Sequence, residues 1–168
     1  MAEYLIEKDE WPWDYQNDCL DQQIVHLAIE TGYLDMVRLV LGVVLDRGPK
    51  DASEKYGKVY RQFVIRAAKI GHVEITGILI NSVRAADFGG KWGFKEKVEE
   101  LKHMGFISAV RFGQTELVRF LLKEGAEVNR LYEIRYCALS IAQNKGFINI
   151  KKLLLENRAL IVVKDKEV

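Results

Sequence analysis

At 168 residues, 49% of them hydrophobic and 29% charged, the chain has the material of one domain with a sizeable core. That charged fraction and only two prolines exclude a disordered or low-complexity chain. No apolar run approaches the roughly 18 residues of a membrane helix. The acidic N-terminus also lacks a basic-then-apolar leader, so a cytoplasmic, intracellular location is expected. Residues 1–19 carry six acids (Glu3, Glu7, Asp9, Glu10, Asp14, Asp18) against Lys8, a net of −5, so the rest of the +1 chain sums to +6. Cys19 and Cys137 lie far apart, which fits neither a metal spacing nor a disulfide framework and predicts two reduced structural thiols.

In chain order, residues 1–19 match nothing that follows, yet Tyr4, Leu5, Trp11, Trp13 and Tyr15 are too apolar for a free tail. They read either as a cap over an exposed apolar face or as an acidic, aromatic arm for a basic surface. Val25–Leu41 then reads as two short helices broken at Gly32, with Gly48-Pro49 ending the second. Ser53–Lys58 is polar and reads as a loop or one helical turn. Val64–Ile80 repeats the helix–glycine–helix pattern around Gly71. The segment Asn81–Gly93 departs most from pattern: Gly89-Gly90-Lys91 lacks the spacer and preceding strand of a phosphate loop, and Asp87-Phe88-Gly89 lacks companion kinase signatures. Phe94–Leu101 follows as an amphipathic helix with Glu/Lys pairs three and four apart.

Phe106–Asn129 is the clearest unit. Phe106, Ala109 and Val110 recur at helical spacing before Gly113; Thr115 is a candidate N-cap; Leu117, Val118, Leu121 and Leu122 form a broad apolar face before Gly125. Leu139–Leu155 repeats it around Gly146, with Lys151 and Lys152 expected to face solvent, and Leu160–Val163 is expected to tuck against the preceding unit. Each unit so aligned has an alanine four residues before its glycine (Ala28, Ala67, Ala109, Ala142). Apolar residues recur two, five and seven after it, with Thr76 and Lys151 among the polar exceptions. The glycines are spaced by 39, 42 and 33 residues. A unit this small buries too little surface to fold alone and needs its copies on either side.

The segments HLAIETGYLDMVRLVL, AAKIGHVEI and FGQTELVRFLLKEGAEVN, with the 33-residue period, resemble the ankyrin-repeat family over about residues 20–166. The helix-opening Thr-Pro-Leu-His motif is reduced to His26 in Gln23-Ile24-Val25-His26, so the array is divergent. The resemblance implies an all-α solenoid of paired antiparallel helices with short extended or hairpin tips. It divides the chain into a cap or arm at 1–19, repeats at about 20–52, 59–91, 101–133 and 134–166, inserts at 53–58 and 92–100, and a tail at 167–168. It also implies that His26 is a structural hydrogen-bonding residue and that His72 bonds backbone in its turn.

The three histidines fall in separate units, and no paired-Cys, His-x-x-x-His or Gly-x-Ser-x-Gly element occurs, so no enzyme, metal or cofactor is expected. The resemblance implies instead a protein–protein interaction module that binds through its concave face and finger tips. Carried over unit by unit, it selects the residues before each glycine (Glu30-Thr31, Lys69-Ile70, Arg111-Phe112, Asn144-Lys145) and those at the helix mouth (Gln22, Arg61, His103, Tyr136). Arg61, Lys69, Arg111 and Lys145 interleaved with Ile70, Phe112, His103 and Tyr136 would suit an acidic or mixed protein surface, with Phe112 and Tyr136 as anchors. A +6 body without a nucleic-acid motif argues against DNA or RNA. Short divergent arrays of this family are typical of intracellular bacteria, large viruses and protists, which implies a host-directed protein as one form of the module. The alternative is an assembly subunit that docks through the N-terminal arm or the Trp92–Leu101 insert.

Overall fold

The structure, a computed structural model, describes residues 20–47, 53–85, 94–131 and 137–160. Within them the chain forms eight α-helices and no strand. These are α1 Leu20–Thr31, α2 Leu34–Arg47, α3 Ser53–Ile70, α4 Val73–Ala85, α5 Phe94–Arg111, α6 Thr115–Lys123, α7 Ala138–Asn144 and α8 Ile148–Glu156. The N-terminal arm, the Asp87–Gly93 turns, Trp92, Tyr136 and Ile161–Val163 lie outside the described residues. The odd-numbered helices pack in one layer, α1 on α3, α3 on α5 and α5 on α7. The even-numbered helices form the second layer, and each odd helix also packs on the even helix that follows it.

One turn, built four times, joins the layers. The amide of the residue after each glycine donates to the carbonyl of the aligned alanine: Tyr33 to Ala28 (3.1 Å), His72 to Ala67 (3.0 Å), Gln114 to Ala109 (2.9 Å) and Phe147 to Ala142 (2.9 Å). This six-to-one bond closes a helix only if the intervening residue is left-handed, and Gly32, Gly71, Gly113 and Gly146 have φ of 74, 94, 77 and 71°. The four alanines are buried between helices, where a larger side chain would force the layers apart.

The core runs unbroken through the stack, with Phe63, Phe106, Leu79, Leu117, Leu121, Leu139, Ile150 and Leu154 among its fully buried side chains. Thr76, the polar exception in its register, is fully buried. Its hydroxyl donates to the His72 carbonyl at 2.8 Å, which removes the penalty of an unmet donor. The corresponding Lys151 is half-buried and Lys152 exposed.

Ser53–Lys58 and Phe94–Glu100 are the opening turns of the two 18-residue helices α3 and α5. The extra glycine spacing is therefore taken up partly as added helix in the first layer. The last unit repeats the third even where its sequence diverges. Gly125 ends α6 with φ 82°, and Arg158 occupies the equivalent place after α8 with φ 60°. Asn129 then links the two ends: its Nδ2 donates to the Arg158 carbonyl (3.1 Å) and its Oδ1 accepts from the Leu160 amide (2.7 Å).

Candidate functional site

The residues that precede the turn glycines end the first-layer helices and so fall in a row along the edge of the stack. Lys69 and Ile70 close α3, Arg111 closes α5 with Phe112 next to it, and Asn144 and Lys145 close α7. The best-defined contact of the row joins two units. The Lys69 ammonium stands 5.0 Å from the centroid of the Phe112 ring, a cation–π geometry. The Gln114 amide holds the same junction from below by donating to the Lys69 carbonyl at 2.8 Å. Ile70 is 39% exposed beside them, while Phe112 and Arg111 are half-buried. Asn144 and Lys145 are exposed.

Of the helix-mouth residues, Arg61 and His103 do not join this row as one surface. Arg61 is ion-paired with Glu100 of α5, so its charge ties α3 to α5. His103 is only 4% exposed and offers no contact surface to a partner. It is covered because the chain after α6 folds back over α5. The ammonium of Lys102, itself buried, donates to the Glu124 carbonyl at 3.1 Å and pairs with Glu99 at 2.7 Å. Burial first, and the Arg130 charge second, hold the His103 pKa below its ordinary 6.5, against an opposing pull from Glu127 and the Leu131 backbone. Its ring nitrogens complete no hydrogen bond of good geometry.

His26 packs edge-on against Phe63 of the next unit at a centroid distance of 5.0 Å. His72 lies against Gly32, where a Cβ would come within 3.1 Å of its ring. The Phe94–Leu101 stretch turns Val98 and Leu101 into the core, so these apolar side chains are used within the stack. Sequence reasoning missed Gln114, whose signal was its place directly after a turn glycine, the slot His72 fills one unit earlier.

Among the described residues no group of histidine, cysteine, aspartate and glutamate is arranged to hold a metal ion. No helix among them is long and apolar enough to cross a membrane. No curated protein matches the chain. The ankyrin-repeat family model matches residues 106–131, which span the end of α5, its glycine turn, α6 and the chain that follows. Repeats of this family are generally non-enzymatic and bind other proteins. That match on the third unit, with the same glycine turn closing all four helix pairs, is consistent with a divergent ankyrin-repeat protein.

Proposed function

We propose that this chain is a non-catalytic interaction module that receives a partner protein of acidic or mixed surface along the row of first-layer helix ends. Lys69, Ile70, Arg111 and Phe112 form its centre, and Asn144 and Lys145 extend it. In the same reading the repeats divide the chain at about 20–52, 59–91, 101–133 and 134–166. The observation that carries the proposal is the junction of α3 and α5. There a lysine is held over an aromatic ring, with an exposed isoleucine and an arginine at its side. Aromatic and aliphatic surface gives such a site its affinity, and flanking cations give it sign selectivity and on-rate. Arg61 and His103 have no part in it, since one is paired within the stack and the other is covered.

The test is to pan a displayed random-peptide library on the wild-type protein and on the Lys69→Glu/Arg111→Glu variant. Wild type should enrich acidic peptides carrying at least one large apolar residue. The double reversal should weaken them by about 1 kcal/mol or more, roughly fivefold or more in affinity, with the difference shrinking as salt is raised. Peptides bound equally by both proteins would remove the helix-end row as the site.

A further inference from the structure

His103 is a buried titratable group that the helix-end row does not use. It lies within α5, and neither of its ring nitrogens completes a hydrogen bond of good geometry. A neutral imidazole so placed leaves one donor unmet. A protonated one would leave two unmet and add a charge.

Residues 124–131, the non-helical strap after α6, roof this ring and are fastened in three ways. At the start, the Lys102 ammonium donates to the Glu124 carbonyl at 3.1 Å, and the Ala126 amide donates to the Leu121 carbonyl at 2.9 Å. Along its length, Ala126, Val128 and Leu131 pack partly buried on the core. Near its end, Asn129 donates to the Arg158 carbonyl and accepts from the Leu160 amide. The segment that covers His103 is therefore also the one that ties down the end of the last helix pair.

The surrounding charges do not welcome a further cation. Arg130 and Glu127 of the strap act on the ring in opposite senses, and the arginine outweighs the glutamate. On α5, Glu99 is taken up by Lys102, and Arg61 of α3 is taken up by Glu100. Glu74 of α4 is exposed, Glu116 of α6 is paired with Arg119, and α7 carries no charged residue.

We propose that residues 124–131 are a proton-operated latch: when His103 takes up a proton, the strap lifts from α5 and Asn129 lets go of the last helix pair. Burial and Arg130, which hold the His103 pKa below 6.5, act on it only while the strap is closed. An open strap returns the imidazole to its ordinary value. Opening is therefore unaffected above pH about 6.5 and grows by up to about tenfold per pH unit as pH falls toward the closed-state pKa. Mild acid would loosen Asn144 and Lys145, on the last pair, and spare the α3–α5 junction.

The test is amide hydrogen exchange on the full chain at pH 7.5 and 5.5, read as protection factors so that the intrinsic pH dependence cancels. In wild type the Ala126 and Leu160 amides should both lose several-fold to about tenfold in protection at pH 5.5. The loss should be insensitive to low urea, the mark of an opening that exposes little surface. In His103→Gln it should vanish. Because that change alters a buried side chain, Arg130→Gln supplies a second reading: the arginine is exposed, and its removal should leave the fold intact and shrink the pH effect. An equal loss in wild type and His103→Gln would overturn the latch, as would a pH effect undiminished in Arg130→Gln. A loss that rises steeply with urea would overturn it in favour of global unfolding. Loss at Ala126 without loss at Leu160 would overturn the coupling to the last pair.

Discussion

Gly71→Ala separates the two demands placed on a turn glycine in this stack. Gly71 has φ 94°, so any side chain there incurs the left-handed penalty of about 1–2 kcal/mol. A Cβ at that position would also come within 2.7 Å of the Gln114 Cδ. The glutamine must then leave its rotamer and give up its 2.8 Å bond to the Lys69 carbonyl. The bond is exposed and water can replace it, so its loss belongs at the low end of the usual range, about 0.5–1 kcal/mol. Gly71→Ala should therefore cost about 1.5–3 kcal/mol, the sum of the two effects. Gly146→Ala is the internal control: it has nearly the same backbone geometry, φ 71°, but nothing within 4 Å of the new Cβ. It should show only the backbone penalty of about 1–2 kcal/mol. Urea denaturation at 25 °C, followed by circular dichroism, measures all of these, and Gln114→Ala with the Gly71→Ala/Gln114→Ala double variant completes a cycle. In the double variant the clash is gone, so its cost should fall short of the two single costs together by about 0.5–1 kcal/mol. Equal losses for Gly71→Ala and Gly146→Ala, with strict additivity in the cycle, would refute the idea that this glycine also seats the next unit.

Arg158 holds a φ of 60° where the third unit has Gly125, so Arg158→Gly should raise stability by about 1 kcal/mol in the same urea assay. A loss there would mean that the arginine side chain contributes more than its backbone strain. His103 has a lowered pKa because the fold favours its neutral form. The unfolded chain takes up the proton first, so stability should be whole above pH about 6.5 and fall as pH drops from there toward the folded-state pKa. Urea midpoints at pH 7.5 and 5.5 should differ less in His103→Gln than in wild type, and equal drops would clear His103 of the effect. Ala109→Asp places an unpaired carboxylate at a fully buried contact of the first layer and should cost more than about 3 kcal/mol, abolishing the cooperative transition or moving it to much lower urea.

What could be read from the sequence was what a single residue type enforces. The left-handed turn demands glycine and the helix crossing demands alanine, so Gly32, Gly71, Gly113 and Gly146 with their alanines located four helix pairs directly. Helix length was harder to read. Ser53–Lys58 is polar and contains Gly57, yet it is helical because it continues a register whose later turns place Tyr60, Phe63 and Val64 in the core. Long-range cover was not legible at all. Arg61 and His103 hold the same place relative to their glycines, but one meets Glu100 in the open while the other is roofed by the chain after α6. That difference depends on Lys102 anchoring Glu124, a contact 22 residues apart that no periodicity encodes. Arg158 was hidden for the opposite reason: the bonds around it carry the turn without the residue that usually marks one.

The cations of the helix-end row have a structural reason to be where they are, which bears on what identifies a binding surface here. Lys69 and Arg111 lie in the last turns of α3 and α5, where the free carbonyls carry roughly half a negative charge and a basic side chain stabilises the helix by about 0.3–1 kcal/mol. Their presence would follow from helix chemistry even in a stack that bound nothing. The same is not true of Ile70 and Phe112. An isoleucine left 39% exposed directly before a turn glycine gains little from the core, and a phenylalanine beside it could have been any polar residue without cost to the turn. Their apolar surface is what helix electrostatics leaves unexplained. The lysine ammonium over the Phe112 ring fixes that surface across two units, at a modest gain of about 0.5–1 kcal/mol. A partner read by charge alone would need only the first pair of residues. A partner that buries a hydrophobic side chain among the charges needs all four, and that combination is the reason the α3–α5 junction stands apart from the other helix ends in the row.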